Sequence, residues 1–262
     1  MPVVSRALVV LEEVAGAGTE LTFTDLCERT DTPKATMHRL LSTLLAKGYV
    51  AQASNGRYSA GLRCFELGSL WAQKLDIRAV AAPFLLRLNE ASRETVHLAV
   101  YEHGDVVYID RLESPQQVIA KSHVGRRCPA ICVATGRVLL AYSDFEEIDR
   151  VLGDPLPAFT EHSLVDPRVA EATLAQVRAD GYAINRCSYR DDVSGIAAPV
   201  RDHTGRVVAA AGLCLPDHRF TAERVPDLRD LLLQTTADIS LALGCAVHRE
   251  QTPATSSMGS SR

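Results

Sequence analysis

Asn55-Gly56 sits between two short strand-like runs, Tyr49–Ala53 and Arg57–Ala60. An Asn-Gly pair flanked this way is the strongest short-range signal for a β-hairpin. What precedes it narrows the fold further. Val3/Val4, Ala7/Leu8, Leu11 and Val14/Ala15 recur at helical spacing and predict a helix over residues 3–15, stopped by Gly16 and Gly18. Thr22 and Asp25 outline a capping box that opens a short second helix through Leu26 and Cys27. Thr32-Pro33 reads as an N-cap followed by proline at the first helical position. Behind it Met37, Leu40, Leu41, Leu44 and Leu45 form a buried stripe, leaving Thr36, Arg39 and Thr43 on the wet face, and Gly48 ends this third helix. Three helices and a hairpin make a winged helix-turn-helix, whose second element after the turn enters the DNA major groove.

Charge points the same way. The chain as a whole carries a formal net charge of −4. Residues 1–31 hold two basic and six acidic side chains, whereas residues 32–63 hold Lys34, Arg39, Lys47, Arg57 and Arg63 with no acid. A cationic stretch inside an acidic protein is either a solvated face or a focused site for a polyanion, and its coincidence with the third helix favours the polyanion. The candidate DNA contacts are Thr32, Lys34, Ala35, Thr36, His38, Arg39 and Thr43 on the turn and helix, and Arg57 on the wing.

Residues 62–76 predict a linker helix whose apolar positions, Leu62, Phe65, Leu70, Trp71 and Leu75, need cover from the chain itself or from a second subunit. A second domain spans residues 77–249. A helix through Val80, Phe84, Leu85 and Leu88 leads into strands at 95–101 and 106–111 around His103-Gly104, with a third short strand at 118–121. Helices follow at 135–142, 144–152 and 167–179, strands at 182–187, 194–201 and 206–215, and a final helix from 222 to 248. Strands and helices mixed without strict βαβ alternation indicate an α+β domain on an antiparallel sheet. The Ser/Thr-rich residues 250–262 are expected to be disordered.

Several function classes are disfavoured. No apolar run reaches the length of a membrane span and no signal-peptide pattern follows Met1, so a cytoplasmic location is expected. Seven scattered cysteines fit reduced thiols. Cys128 and Cys132 have no second pair near enough in sequence for a zinc site, and neither metal nor cofactor is expected. GxSxG, HExxH, P-loop and GxGxxG motifs are absent, and Ser194 beside Asp191 and Asp192 has no histidine tied to it by a motif. A hydrolase-type enzyme with a helical adaptor stands as the alternative to a DNA-binding regulator.

The segments SRALVVLE, PKATMHRLLSTLLAKGYV, NGRYSAG, GLRCFELGS, VGRRCPAICVATGRVLLAY and GYAINRCSYRDDVSGIAAPVRDHTGRVVAAAGL, in this order and spacing, resemble the IclR family of bacterial transcriptional regulators. The likeness runs from Val3 to about His248. It implies a winged helix-turn-helix over residues 1–61, a linker helix, and a GAF-like domain that binds a small organic or aromatic acid. It also implies a homodimer or homotetramer, here a repressor on a palindromic operator. The family's effector positions fall on Ala134 and Thr135, at the turn into the helix near Gly136, and on Asn185, Gly195, Gly212 and Cys214, with Cys128 and Val193 as wall residues. The glyoxylate-responsive prototype has an acidic residue at the position of Asn185, a cysteine at that of Gly195, and serines at those of Gly212 and Cys214. These exchanges remove polar side chains and suggest room for a bulkier ligand over Gly195 and Gly212; close strand packing is the other reading of the two glycines. Apart from the family, free N–H groups and the helix dipole at residues 134–136 favour an anion.

Overall fold

A computed structural model describes residues 2–72, 76–120 and 122–245. The chain divides into two compact units, residues 1–75 and 76–262.

The first unit holds helices α1 (Val3–Gly16), α2 (Phe23–Arg29) and α3 (Lys34–Ala46), strands β1 (Val50–Gln52) and β2 (Tyr58–Ala60), and helix α4 (Leu62–Ala72). Its core is Val10, Val14, Leu21, Leu26, Met37, Leu40, Leu41, Leu44, Val50 and Tyr58, so the stripe read from α3 is buried apart from half-buried Leu45. The capping box of α2 is formed: Asp25 N–H donates to Thr22 Oγ1 at 3.1 Å and Thr22 N–H to Asp25 Oδ2 at 2.8 Å. Thr32 departs from expectation. The cap of α3 is Pro33, because Asp31 adopts a left-handed φ of 46° and turns Thr32 inward. Thr32 is buried, its hydroxyl donating to the Thr30 carbonyl at 3.2 Å, and this removes it from the face open to DNA.

The hairpin pairs Val50 with Ala60 and Gln52 with Tyr58, and Leu21 adds a bridge to Tyr58. In its turn only Gly56 is left-handed (φ 79°), while Asn55 Oδ1 accepts from Arg57 N–H at 2.9 Å. Gly61 lets the wing meet the end of α3: a Cβ there would lie 2.1 Å from the Gly48 carbonyl oxygen. The linker stretch is helical over Leu62–Ala72; residues 73–75 lie outside the described residues, as do 246–262, which include the tail expected to be disordered.

The second unit begins with α5 (Asp76–Ser92), then β3 (Thr95–Glu102), β4 (Asp105–Leu112) and β5 (Arg127–Pro129). A 3-10 turn (Ala130–Cys132) precedes α6 (Ala134–Ala141), α7 (Phe145–Gly153) and α8 (Pro167–Asp180), and β6 (Ala183–Arg186), β7 (Val193–Arg201), β8 (Val207–Pro216) and α9 (Val225–Ala242) complete it. The strands form one antiparallel sheet in the order β5-β4-β3-β8-β7-β6. The central strands are buried almost throughout, so both faces are covered. Helix α6 lies on β3, β6, β7 and β8 with α8 behind it, while α5 and α9 pack together on the sheet. His103 and Gly104 are both left-handed (φ 50° and 92°), which closes the β3–β4 hairpin tightly.

Two expectations fail here. Among residues 118–120 there is no strand; Ala120 is buried, and the Val118 carbonyl accepts from Arg219 Nη1 at 3.0 Å. Arg219 also chelates the fully buried Glu94 at 2.6 and 2.9 Å, and Arg224 adds a third bond at 2.6 Å, anchoring this loop to the start of α9. The strand on the outer side of β4 is instead β5, three residues ending in Pro129 and too short to show a periodicity. The last helix stops at Ala242, because Gly244 turns left-handed (φ 86°). No described helix is long and apolar enough to cross a membrane.

Candidate functional site

On the first unit, Lys34, Ala35, His38, Arg39 and Thr43 are exposed along α3, Thr36 is half-exposed, and Arg57 stands exposed on the wing. His38 is braced by the Phe23 ring of α2 at 4.3 Å between centroids, and Thr43 Oγ1 donates back to the Arg39 carbonyl at 3.0 Å. Arg57 Nη1 donates to the Glu20 carbonyl at 3.2 Å, and Asn55 Nδ2 to Glu20 Oε2 at 3.0 Å, so the wing tip is tied to the loop between α1 and α2. Seven of the eight residues singled out on this unit thus lie on an accessible surface, and Thr32 does not.

On the second unit, Cys128, Ala134, Thr135, Asn185, Val193, Gly195, Gly212 and Cys214 all line one cavity, which encloses about 590 Å³ out to its open mouth. Four strands and the first turn of α6 bring them together. The register sets Gly195 beside Cys214 and Asn185 beside Gly195, and α6 lies across them. Val133 caps α6 with extended backbone and no side-chain cap bond. The N–H groups of Ala134, Thr135 and Gly136 therefore have no acceptor among the described residues. Thr135 is buried, and its Oγ1 likewise makes no hydrogen bond of good geometry, although the Tyr108 phenol lies beside it. Of these, the N–H groups of Ala134 and Thr135 and the Thr135 hydroxyl belong to residues that line a concave, mostly apolar space. Such an arrangement suits an anion with an organic body.

The glycines have a different role from the one that would open volume. A Cβ on Gly195 would meet the Leu213 carbonyl oxygen at 2.8 Å. One on Gly212 would meet Thr135 Cγ2 at 2.9 Å and the Ile196 carbonyl oxygen at 3.1 Å. Both serve close packing, and the space above Gly212 is occupied by the Thr135 methyl group. Gly136 similarly lets α6 approach the preceding turn, where a Cβ would lie 2.1 Å from the Ala130 carbonyl oxygen.

The cavity also takes in His97, Tyr108, Ala120, Ser122, Arg126, Tyr189, Arg190 and Ser194, which sequence reasoning missed. His97 Nε2 is 2.6 Å from Ser122 Oγ, and its ring stacks on Tyr108 at 4.2 Å and 16°. Burial, reinforced by the charges of Arg111 and Arg126, lowers its pKa to about 3, so the imidazole is neutral. The only sequence signal for it was a polar residue flanked by Val96 and Leu98 in a predicted strand. Arg126 reaches Tyr189, Nη2 to hydroxyl 3.5 Å, and Arg190 is paired with Asp192 at 2.9 Å. Asn185 Oδ1 accepts the Ser188 N–H at 3.1 Å. Burial pushes the Cys214 thiol up to about 12 and raises that of Cys128, so neither is a thiolate at neutral pH. Ser194 donates to Asp217 Oδ1 at 2.5 Å and lies 3.8 Å from the Cys187 thiol.

Comparison with known proteins places both units. The family model for the IclR helix-turn-helix domain matches residues 3–54, and that for the C-terminal domain of bacterial transcriptional regulator IclR matches residues 70–241. The chain is 34% identical over 243 residues to the HTH-type transcriptional regulator XynR of Escherichia coli K12, covering 92% of this chain and 96% of XynR. To the transcriptional repressor AllR of the same strain it is 31% identical over 245 residues, covering 93% and 90% of the two chains. Among solved structures, an IclR homologue from Microbacterium hydrocarbonoxydans in complex with 4-hydroxybenzoate superposes with a TM-score of 0.81 at 28% identity, over 92% of this chain and 99% of that one. These relatives are regulators and not enzymes, which decides the choice between regulator and hydrolase that the sequence left open.

Proposed function

The chain belongs to the IclR family of bacterial transcriptional regulators, and from that premise we propose that it is a cytoplasmic repressor released from, or retained on, a palindromic operator by a small organic acid. Residues 1–61 read the operator, 62–76 connect, and 77–249 bind the effector. Helix α3 enters the major groove with Lys34, Ala35, Thr36, His38, Arg39 and Thr43, and Arg57 meets the flanking backbone or minor groove. Leu62, Phe65, Leu67 and Leu70 are exposed along α4, as are Val3, Val4 and Leu8 on α1; cover from a second copy is what such a surface needs, in a dimer or a dimer of dimers.

The observation that carries the effector assignment is the first turn of α6. Its unpartnered donors and the buried Thr135 hydroxyl open into a cavity lined by aromatic and apolar groups. A carboxylate fits the donors, and a ring fits against His97 and Tyr108. The relative solved with 4-hydroxybenzoate supports an aromatic acid, and AllR supports repression. Such a ligand shifts operator affinity only by its unequal affinity for the free and DNA-bound conformations, so operator must shift ligand affinity by the same factor.

The test is a mobility shift on the DNA flanking the gene, with and without a series of aromatic and aliphatic acids. One acid is expected to change operator affinity, and a footprint is expected to show two half-sites about 34 Å, or a multiple, apart. A lone half-site bound by a monomer refutes the dimer. Arg39→Ala should cost about 1–3 kcal/mol at one base position, whereas Arg57→Ala should weaken all sequences alike.

A further inference from the structure

Arg137 is a buried cation that the effector reading does not use. It follows the first turn of α6 directly and is only 5% exposed. Its Nε donates to the Ile131 carbonyl at 2.9 Å, Nη1 to the Ile184 carbonyl at 2.7 Å, and Nη2 to Ser188 Oγ at 3.0 Å. All three acceptors are neutral, and among the described residues no carboxylate pairs with it. Burial lowers its pKa to about 10, which still leaves it charged at neutral pH. A buried charge without a counter-ion is costly. Its position adds to the cost, because the side chain runs back to the Ile131 carbonyl and so toward the positive end of the α6 dipole. Two positive features meet there, and no carboxylate among the described residues pairs with either. The cavity lies against the same turn: Ala134 and Thr135 line it, and so does Asn185, which follows Ile184 and accepts from Ser188 N–H.

We propose that Arg137 is a positioning residue whose buried charge is balanced by the acid group of the bound effector, so that the cavity selects an anion over its neutral isostere without Arg137 touching it. This rests on the acid-effector reading above. Through Ile184 and Ser188 the same guanidinium ties the anion's seat to β6 and to the segment carrying Tyr189 and Arg190, which line the cavity.

The experiment is calorimetry of the full-length protein with matched acid and amide pairs: benzoate and benzamide, 4-hydroxybenzoate and 4-hydroxybenzamide, pyruvate and pyruvamide. Wild type is expected to bind at least one acid roughly tenfold or more tighter than its amide. In Arg137→Gln that ratio should fall toward one while amide affinity holds. Ser188→Asp, which sets an internal carboxylate beside the guanidinium, should do the same and serves where Arg137→Gln fails to fold by circular dichroism. An unchanged ratio in either folded variant overturns the proposal, as does parallel weakening of acid and amide, the signature of a purely structural arginine. A wild type with no acid preference across the series overturns the acid-effector reading instead, and this proposal with it.

Discussion

Lys34, Arg39 and Arg57 stand exposed on the first unit, whereas Arg137 at the cavity of the second is buried and hydrogen-bonded to three neutral acceptors. On the function proposed, both regions meet negative charge, by opposite means. Solvent-exposed cations on an open face attract a polyanion through water, and salt screens them. Buried donors are oriented before the ligand arrives, in a medium where each counts for more, and each must be satisfied or left at a cost. An open face therefore tolerates change and tunes affinity; a cavity tolerates little and tunes selectivity.

Salt gives the largest expected contrast. If the dimer neutralises about six phosphates, operator affinity should fall on the order of a thousandfold between 50 and 200 mM salt. Affinity of an acid for the cavity should change only a few-fold over that range, because the site lies inside the screening distance. Parallel salt slopes in titrations of DNA and of acid would mean that the cavity anion is bound at an open surface.

Next come two glycines that hold each region together. Alanine at Gly61 or at Gly136 puts a Cβ 2.1 Å from a backbone oxygen, of Gly48 and of Ala130 respectively, and neither neighbour is a flexible side-chain end. Each substitution should cost about 3 kcal/mol or more. Gly68→Ala on α4, with nothing within 4 Å, should instead stabilise by up to ~1 kcal/mol. Hydrogen exchange should place the loss in the wing for Gly61→Ala and in α6 and its strands for Gly136→Ala. Equal, small losses in all three would show that the close approaches relax freely.

The same contrast explains what the sequence could convey. The features that mark the first unit are local, so the Thr22–Asp25 box, the Met37–Leu44 stripe and the Asn55-Gly56 turn could all be read from neighbours in the chain. Its one failure, Thr32, came from the left-handed backbone of Asp31, which no periodicity announces. The second unit is assembled by strand register. Family likeness located eight lining positions, but His97 and Tyr108 meet through the pairing of β3 with β4, whose register shifts at Leu98/Ala99. Val118–Ala120 read as a strand because a short apolar run cannot announce that it will be held as a loop by Arg219, with Ala120 buried and Val118 exposed. Arg137 reads as one more basic residue ahead of an apolar run, since its lack of a counter-ion is a three-dimensional fact.

Acid should separate the regions too. His97 has a folded pKa of about 3, lowered by burial and by Arg111 and Arg126, against about 6.5 unfolded. The unfolded chain takes up this proton between those values and the folded chain does not. The stabilisation is therefore complete above pH ~6.5 and is lost as pH falls toward 3, by up to about 1.4 kcal/mol per pH unit from this group. Thermal melts from pH 7 to 4 should show a shallower slope for His97→Gln, which keeps a partner for Ser122. Identical slopes would mean that the ring takes up its proton in the folded state.

The smallest effect tests how closely the cavity wall is fitted. Gly212→Ala brings a methyl group to 2.9 Å from Thr135 Cγ2, 3.1 Å from the Ile196 carbonyl oxygen and 3.2 Å from Ala197 Cβ. The β-branched threonine has few rotamers with which to yield, so the substitution should cost about 1–2 kcal/mol and weaken acid binding by disturbing Thr135. Thr135→Ser removes Cγ2 and keeps the hydroxyl. In that background the added methyl should cost less, giving a coupling of about 0.5–1 kcal/mol in a double-mutant cycle. The exposed counterpart, Ala35→Ser on α3, should change stability by less than about 0.5 kcal/mol. Additive effects of Gly212→Ala and Thr135→Ser would assign the glycine to strand packing against Ile196 and Ala197 alone. A ligand could then lie over Gly212 without Thr135 in its way, and the larger acids of the series would be expected to bind the tightest.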